Sequence, residues 1–155
     1  MNAVLKVNSN DNKTKSKKQD MDKYVFPFEK LDVYQMAVDL AERILLLLEQ
    51  FPENRHFRLI SQMEAAVVSI GQNIAEGKGR QYKKEFIQFL YIAQGSVFEV
   101  VTLTEIFRRK RLFQEEEAGE IRDICEQIDR KINGLINALK GKSDRGGRTA
   151  SLEDR

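Results

Sequence analysis

The sequence predicts an all-α protein, an antiparallel up-down-up-down four-helix bundle. Three observations carry that prediction. Four stretches between residues 34 and 139 place apolar side chains every three or four positions, the period of a helix with one buried face. No stretch of useful length alternates apolar and polar residues, which removes strands. The 155 residues hold only 9 Gly and 2 Pro, so the punctuation that breaks regular elements is scarce.

The first helix carries Tyr34, Ala37, Val38, Ala41, Ile44, Leu45, Leu48 and Phe51, and Pro52 stops it. Leu46 and Leu47 widen its apolar arc, so burial on more than one side is expected. The second carries Ile60, Met63, Val67, Ile70 and Ile74 in a 3-4-3-4 spacing, the seam of a bundle. Gly77 or Gly79 then supplies a left-handed C-terminal position. The third runs through Phe86, Leu90, Ala93, Val97, Val100, Thr104 and Phe107. Its length of about 26 residues corresponds to roughly 39 Å. The fourth carries Ile121, Cys125, Ile128, Ile132, Leu135 and Leu139, and Gly141 ends it. The connections are about four, four and five residues long, which makes consecutive helices antiparallel neighbours.

Charge divides the chain. Residues 1–23 hold six basic and three acidic groups, and residues 140–155 hold five and three. The intervening body holds 15 basic and 18 acidic groups, a net charge of −3. The tails, 1–23 and 141–155, are polar and are expected to be disordered, because they bury too little to offset ordering entropy. The bundle occupies 24–140. A nucleic-acid reading cannot rest on the net charge of the body and needs local clusters. No apolar run approaches the roughly 18 residues that span a bilayer, and no secretory leader is visible, so a cytoplasmic protein away from membranes is expected.

Catalytic chemistry finds few materials. One Cys excludes an intramolecular disulfide framework, and one His leaves little for metal or triad chemistry. Glu76 with Glu99 would need Glu-x-x-His pairs on two facing helices to build a di-metal site; the one histidine, His56, does follow Glu53 by three residues, but this single pair lies at the turn between the first two helices. Gly77-Lys78-Gly79 follows a helix and lacks the Walker spacing and its Ser/Thr. Cys125 lies on the fourth seam as a buried, inert thiol. No enzyme, cofactor or metal site is expected. Ser69, Asn73 and Glu76 share one face of the second helix and form a polar seam toward Gln94 or Ser96. Gly71 and Gly95 each cost about 1 kcal/mol in helix propensity, with close helix packing as the compensation.

The basic groups form two clusters. Lys78, Arg80, Lys83 and Lys84 lie at the turn between the second and third helices. Arg108, Arg109, Lys110 and Arg111 end the third helix, where Arg55 and Arg58 should join them. Antiparallel topology sends the two clusters to opposite ends. Each is a candidate phosphate contact, although cations also suit solvated helix C-termini. Lys13, Lys15, Lys17 and Lys18 add a basic arm that would attract polyanions without sequence preference.

Three stretches carry a family resemblance: FEKLDVYQMA (28–37), SIGQNIAEG (69–77) and EFIQFLYIAQGS (85–96). Together they resemble the four-helix-bundle proteins encoded in intervening sequences of bacterial 23S rRNA genes. That family includes the accessory variability determinant proteins of diversity-generating retroelements. The resemblance covers residues 26 to 140. It implies a ring, a homopentamer, without enzymatic activity, and for the retroelement members binding to RNA or DNA and to a partner reverse transcriptase. Two departures stand out. Met63 and Glu64 follow Gln62, where relatives carry basic residues, and Gly71 stands where Pro is frequent. The first weakens any nucleic-acid contact assigned to that face. Leu46, Leu47, Phe89, Tyr91 and Phe98 lie beside or off the seams, which argues independently for either a subunit interface or a wider core. A protein-interaction scaffold is the rival reading, with nucleic acid incidental and the acidic run Glu115–Glu117 as a partner patch.

Overall fold

The structure, a computed structural model, describes residues 24–52 and 55–144, with side chains as far as Gly141. A 3-10 turn at Pro27–Lys30 leads into α1 (Asp32–Leu48), α2 (Phe57–Lys78), α3 (Lys83–Arg109) and α4 (Glu115–Asp144). No strand occurs among the described residues. Each helix packs on its neighbours in sequence, and α1 closes the bundle against α4. Ion pairs fix the direction of that closure: Lys131 reaches Asp32, and Arg43 reaches Glu120. Residue numbers therefore fall along α4 as they rise along α1, which makes the bundle up-down-up-down, as the loop lengths predict.

The core is one apolar stripe per helix. α3 buries Phe86, Leu90, Ala93, Val97, Val100, Thr104 and Phe107, the stripe the sequence predicts, together with Leu103. α2 buries Met63, Val67, Ile70 and Ile74, with Ala66 beside them. α4 buries Ile121, Cys125, Ile128 and Ile132, but then Ile136 in place of Leu135. α1 is corrected more heavily. Its buried stripe is Val33, Ala37, Leu40, Ile44 and Leu48, while Val38 is exposed and Leu46, at 56%, faces solvent. With apolar residues on most of its circumference, α1 offers periodicity no unique phase. The helix also ends three residues early, because Phe51 turns in to meet Phe107 and Phe113, at centroid distances of 6.1 and 6.3 Å.

Helix starts share one device. At each of three N-termini a glutamate turns back to a preceding backbone N–H: Glu29 accepts from Phe26 at 2.6 Å, Glu85 from Tyr82 at 3.5 Å, and Glu117 from Gln114 at 2.8 Å. This satisfies an orphan donor and places negative charge against the positive end of the helix dipole. The Glu115–Glu117 run is thereby partly spent on capping.

Helix ends correct the glycine expectation. No glycine has positive φ among the described residues, and Gly79 is right-handed at φ −78°. Gly77 is required for space instead: a Cβ there would sit 2.6 Å from Phe89 Cβ and 2.8 Å from Phe86 Cδ2. Gly71 has only ordinary contacts with Ala37 and Tyr34, and Gly95 faces open space, so the close approach expected at these two positions is absent. α4 also continues past Gly141 to Asp144, which moves the boundary of the C-terminal tail; residues 1–23 and 145–155 lie outside the described residues. An 18-residue window of α3 is apolar enough by length and composition to cross a bilayer, where the sequence reading expected none. The window tolerates the uncharged Gln88, Gln94 and Ser96, which interrupt any continuous apolar run. Its buried stripe faces the bundle core.

The left-handed cap of α3 falls on Arg111, at φ 58°. Leu112 N–H donates to Phe107 C=O at 2.8 Å and Arg111 N–H to Arg108 C=O at 2.9 Å, the two bonds of a Schellman cap. A side chain in this conformation costs about 1 kcal/mol or more relative to glycine. Arg111→Gly should accordingly stabilise the protein by about 1 kcal/mol, read as a raised urea midpoint with unchanged slope.

Candidate nucleic-acid interface

The topology sorts the predicted cations by end. The starts of α1 and α3 and the ends of α2 and α4 share one end of the bundle. Lys78, Arg80, Lys83 and Lys84 lie there, joined by two residues the sequence did not single out, Lys30 at the end of the 3-10 turn and Lys140 near the end of α4. The parity of the helices was the signal for both. The chain also enters and leaves the bundle at this end, so both net-basic tails of the sequence attach beside the cluster.

Local packing sets how available each cation is. Arg80 pairs with Glu76, one turn earlier, and its guanidinium lies 4.7 Å from the Phe89 ring centroid. Lys78 stands 5.8 Å from the centroid of Phe86. Both are thus held against the aromatic pair that fills the space over Gly77. Lys83 and Lys84, at the first turn of α3, are exposed and form no ion pair among the described residues.

At the opposite end two of the arginines are neutralised. Arg108 donates to both oxygens of Glu105, at 2.8 and 2.9 Å, and to Glu115 at 2.8 Å. Arg109 adds a 2.7 Å bond to Glu105. Hydrogen bonds from Arg108, then Arg109, hold the Glu105 carboxyl down at about 2, and those to Glu105 and Glu115 push Arg108 further up. Because the folded value is depressed, the stabilisation is complete above the usual carboxylate range and is lost as pH falls toward 2. At neutral pH these arginines stay engaged. Lys110 and Arg111 remain exposed without an ion pair among the described residues, and Arg55 and Arg58 reach the same end, exposed. The eight predicted contact residues are therefore unequal: Arg80, Arg108 and Arg109 are paired, whereas Lys83, Lys84, Lys110 and Arg111 are exposed without an ion pair among the described residues.

The polar seam is structural. Ser69 Oγ lies 2.8 Å from Ser96 Oγ, and Asn73 donates to Ser69 at the carbonyl (2.8 Å) and at the hydroxyl (3.0 Å). Gln94 turns the other way, to Asp129 at 2.6 Å and Asn133 at 3.1 Å on α4, and Glu76 is taken by Arg80. No group of three His, Cys, Asp or Glu side chains with metal-holding geometry occurs among the described residues. Burial pushes the Cys125 thiol up to about 12, which disfavours its nucleophilic thiolate at neutral pH.

Fold and charge together define a small four-helix-bundle protein whose cationic end at the α2–α3 turn is also the end where the chain enters and leaves the bundle. The chain belongs to the family of 23S rRNA-intervening sequence proteins, whose family model matches residues 29–134. Among solved structures, a protein with unknown function from the S23 ribosomal protein family of Bacteroides thetaiotaomicron VPI-5482 is similar, with a TM-score of 0.63 and 26% identity. The match covers 67% of this chain and 97% of that one. A comparison with curated proteins found no match.

Proposed function

We propose that this protein is a non-enzymatic accessory protein that assembles with copies of itself, as a pentameric ring, and binds RNA or DNA in the cytoplasm through its cationic end. One observation carries the reading: Lys83 and Lys84 stand exposed at the end where both basic tails of the sequence join the bundle. A ring would repeat that end around an axis and turn weak contacts into avidity. Self-association is supported by Ile92 and Phe98 on α3, 52% and 54% exposed, with Gly95 between them and Val68 exposed on α2. Surface of that kind is typical of subunit contacts.

Light scattering after size exclusion, at low and high salt with absorbance at 260 and 280 nm, tests assembly and cargo together. The expected result is a protein mass near five protomers, with nucleic acid removed by salt. A clean monomer without nucleic acid overturns the proposal. The double variant Lys83→Gln/Lys84→Gln then tests the contact. Its slope of log affinity against log salt should shrink by about 1.4 for a single strand, and its affinity should fall about tenfold at low salt. An unchanged slope removes both lysines from the interface.

A second reading has a partner protein, for example a reverse transcriptase, at the opposite end. A cavity of about 600 Å³ lies there between the end of α1 and the start of α2. Phe51, Phe57 and Ile60 line it beside Glu49 and Glu64, and Phe57 is 70% exposed. Such a groove suits a basic, apolar segment. Retention of a reverse transcriptase in high salt by the Lys83→Gln/Lys84→Gln variant would favour this reading.

A further inference from the structure

The cationic end holds a groove between the first turns of α3 and the last turns of α4. It is an open cavity of about 570 Å³, within the size range of small-ligand sites. Its floor is apolar, made by Ile87, Tyr91 and Leu139, and its rim carries Lys83, Lys84 and Lys140. No carboxylate lines it among the described residues. Three cations gathered over an apolar floor repel one another, and here no acidic lining residue relieves them.

Tyr91 is 43% exposed, and the way it is held leaves its ring usable. Lys140 Nζ donates to the Tyr91 hydroxyl at 2.9 Å and lies 5.5 Å from the ring centroid. That pair of distances puts the ammonium at the hydroxyl edge rather than above the ring. The bond orients the ring without covering its face. Gln88 adds a neutral donor and acceptor on the same rim.

We propose that this groove takes one unpaired nucleotide, its base packed on Tyr91 and the apolar floor, and its flanking phosphates held by Lys83, Lys84 and Lys140. The inference deepens the nucleic-acid reading and rests on it. It names the ligand as single-stranded nucleic acid rather than duplex. The charge requires an anion, the floor requires an apolar plane, and a single strand supplies both, since its bases can leave the stack at little cost. In a duplex the phosphates are presented without a free base face, so the floor would stay unused.

The chain contains no Trp, so Tyr91→Trp installs a single reporter in the groove. Adding a 20-nucleotide oligouridine should quench its fluorescence, and a paired RNA of the same length or inorganic polyphosphate should not. Tyr91→Ala in the full chain should weaken oligouridine binding about tenfold while leaving both duplex binding and the salt slope unchanged. Lys140→Gln should instead lower the salt slope by about 0.7, the value of one single-strand phosphate contact. If wild-type protein binds oligouridine but the reporter is not quenched and Tyr91→Ala binds as tightly, the groove is overturned while the cationic end stands. Loss of self-association in Tyr91→Ala with oligouridine affinity retained would place a second copy of the chain on Tyr91, and also overturns it. If wild-type protein binds no nucleic acid, the broader reading fails first.

Discussion

Phe107→Ala should cost about 3–5 kcal/mol of folding stability, the largest loss expected from any single core truncation in this chain. Phe107 is completely buried. Its ring lies 4.7 Å from that of Phe113 and 6.1 Å from that of Phe51, so it joins three segments: the exit of α1, the end of α3 and the turn into α4. Its carbonyl accepts from Leu112 N–H at 2.8 Å and more weakly from Phe113 N–H at 3.4 Å, which closes the α3 cap. Truncation leaves a cavity bounded by two other rings. Those rings are tied to turns, which limits how far they can collapse into it. Urea unfolding followed by far-ultraviolet circular dichroism should show a lower midpoint with an unchanged slope. A loss below about 1 kcal/mol would mean that Phe51 and Phe113 close over the gap. Phe107→Leu, which keeps most of the volume, should recover a large part of the loss.

Much of this architecture was legible in the sequence, and the exceptions have physical reasons. The α3 stripe reads correctly because its 4-3-4-3-4-3 spacing from Phe86 to Phe107 is unbroken, although Phe89, Tyr91, Ile92 and Phe98 lie off it. The α1 stripe reads correctly at Ala37, Ile44 and Leu48 but takes Tyr34 and Ala41 for Val33 and Leu40, since apolar residues cover most of this helix and periodicity cannot choose between adjacent ones. Phe51 fits the helical spacing, yet it belongs to a turn, because its partners Phe107 and Phe113 lie more than fifty residues away. The cation clusters were visible as sequence runs. Their inequality was not, because it depends on Glu105 and Glu115 reaching Arg108 from one helix and the next. Lys140 could have been placed at the basic end from the predicted helix parity, but it stands far in sequence from the 78–84 run and was not singled out. Glycine was the least legible residue of all, for a helix propensity scale assigns the same cost to every one.

Gly77→Ala should destabilise the protein by about 2 kcal/mol net, although alanine is the better helix former. Propensity alone favours alanine by about 1 kcal/mol. Against it stands a Cβ placed 2.6 Å from Phe89 Cβ and 2.8 Å from Phe86 Cδ2. The Phe86 ring can turn, but Phe89 Cβ is fixed to the backbone of α3 and cannot move without it. Relief therefore requires α2 and α3 to separate at the turn that joins them, and crowding of this kind costs about 3 kcal/mol. The separation would also loosen the aromatic pair against which Lys78 and Arg80 rest. Gly95→Ala is the matched control. A Cβ there meets nothing within 4 Å, so the same substitution in the protomer should follow propensity and stabilise by up to about 1 kcal/mol. Opposite signs for two identical substitutions, measured by urea unfolding, would separate crowding from propensity. If Gly95→Ala instead destabilises, and more so at high protein concentration where the chain self-associates, Gly95 lies in the contact between copies, because only a neighbouring chain can crowd a position that its own protomer leaves open.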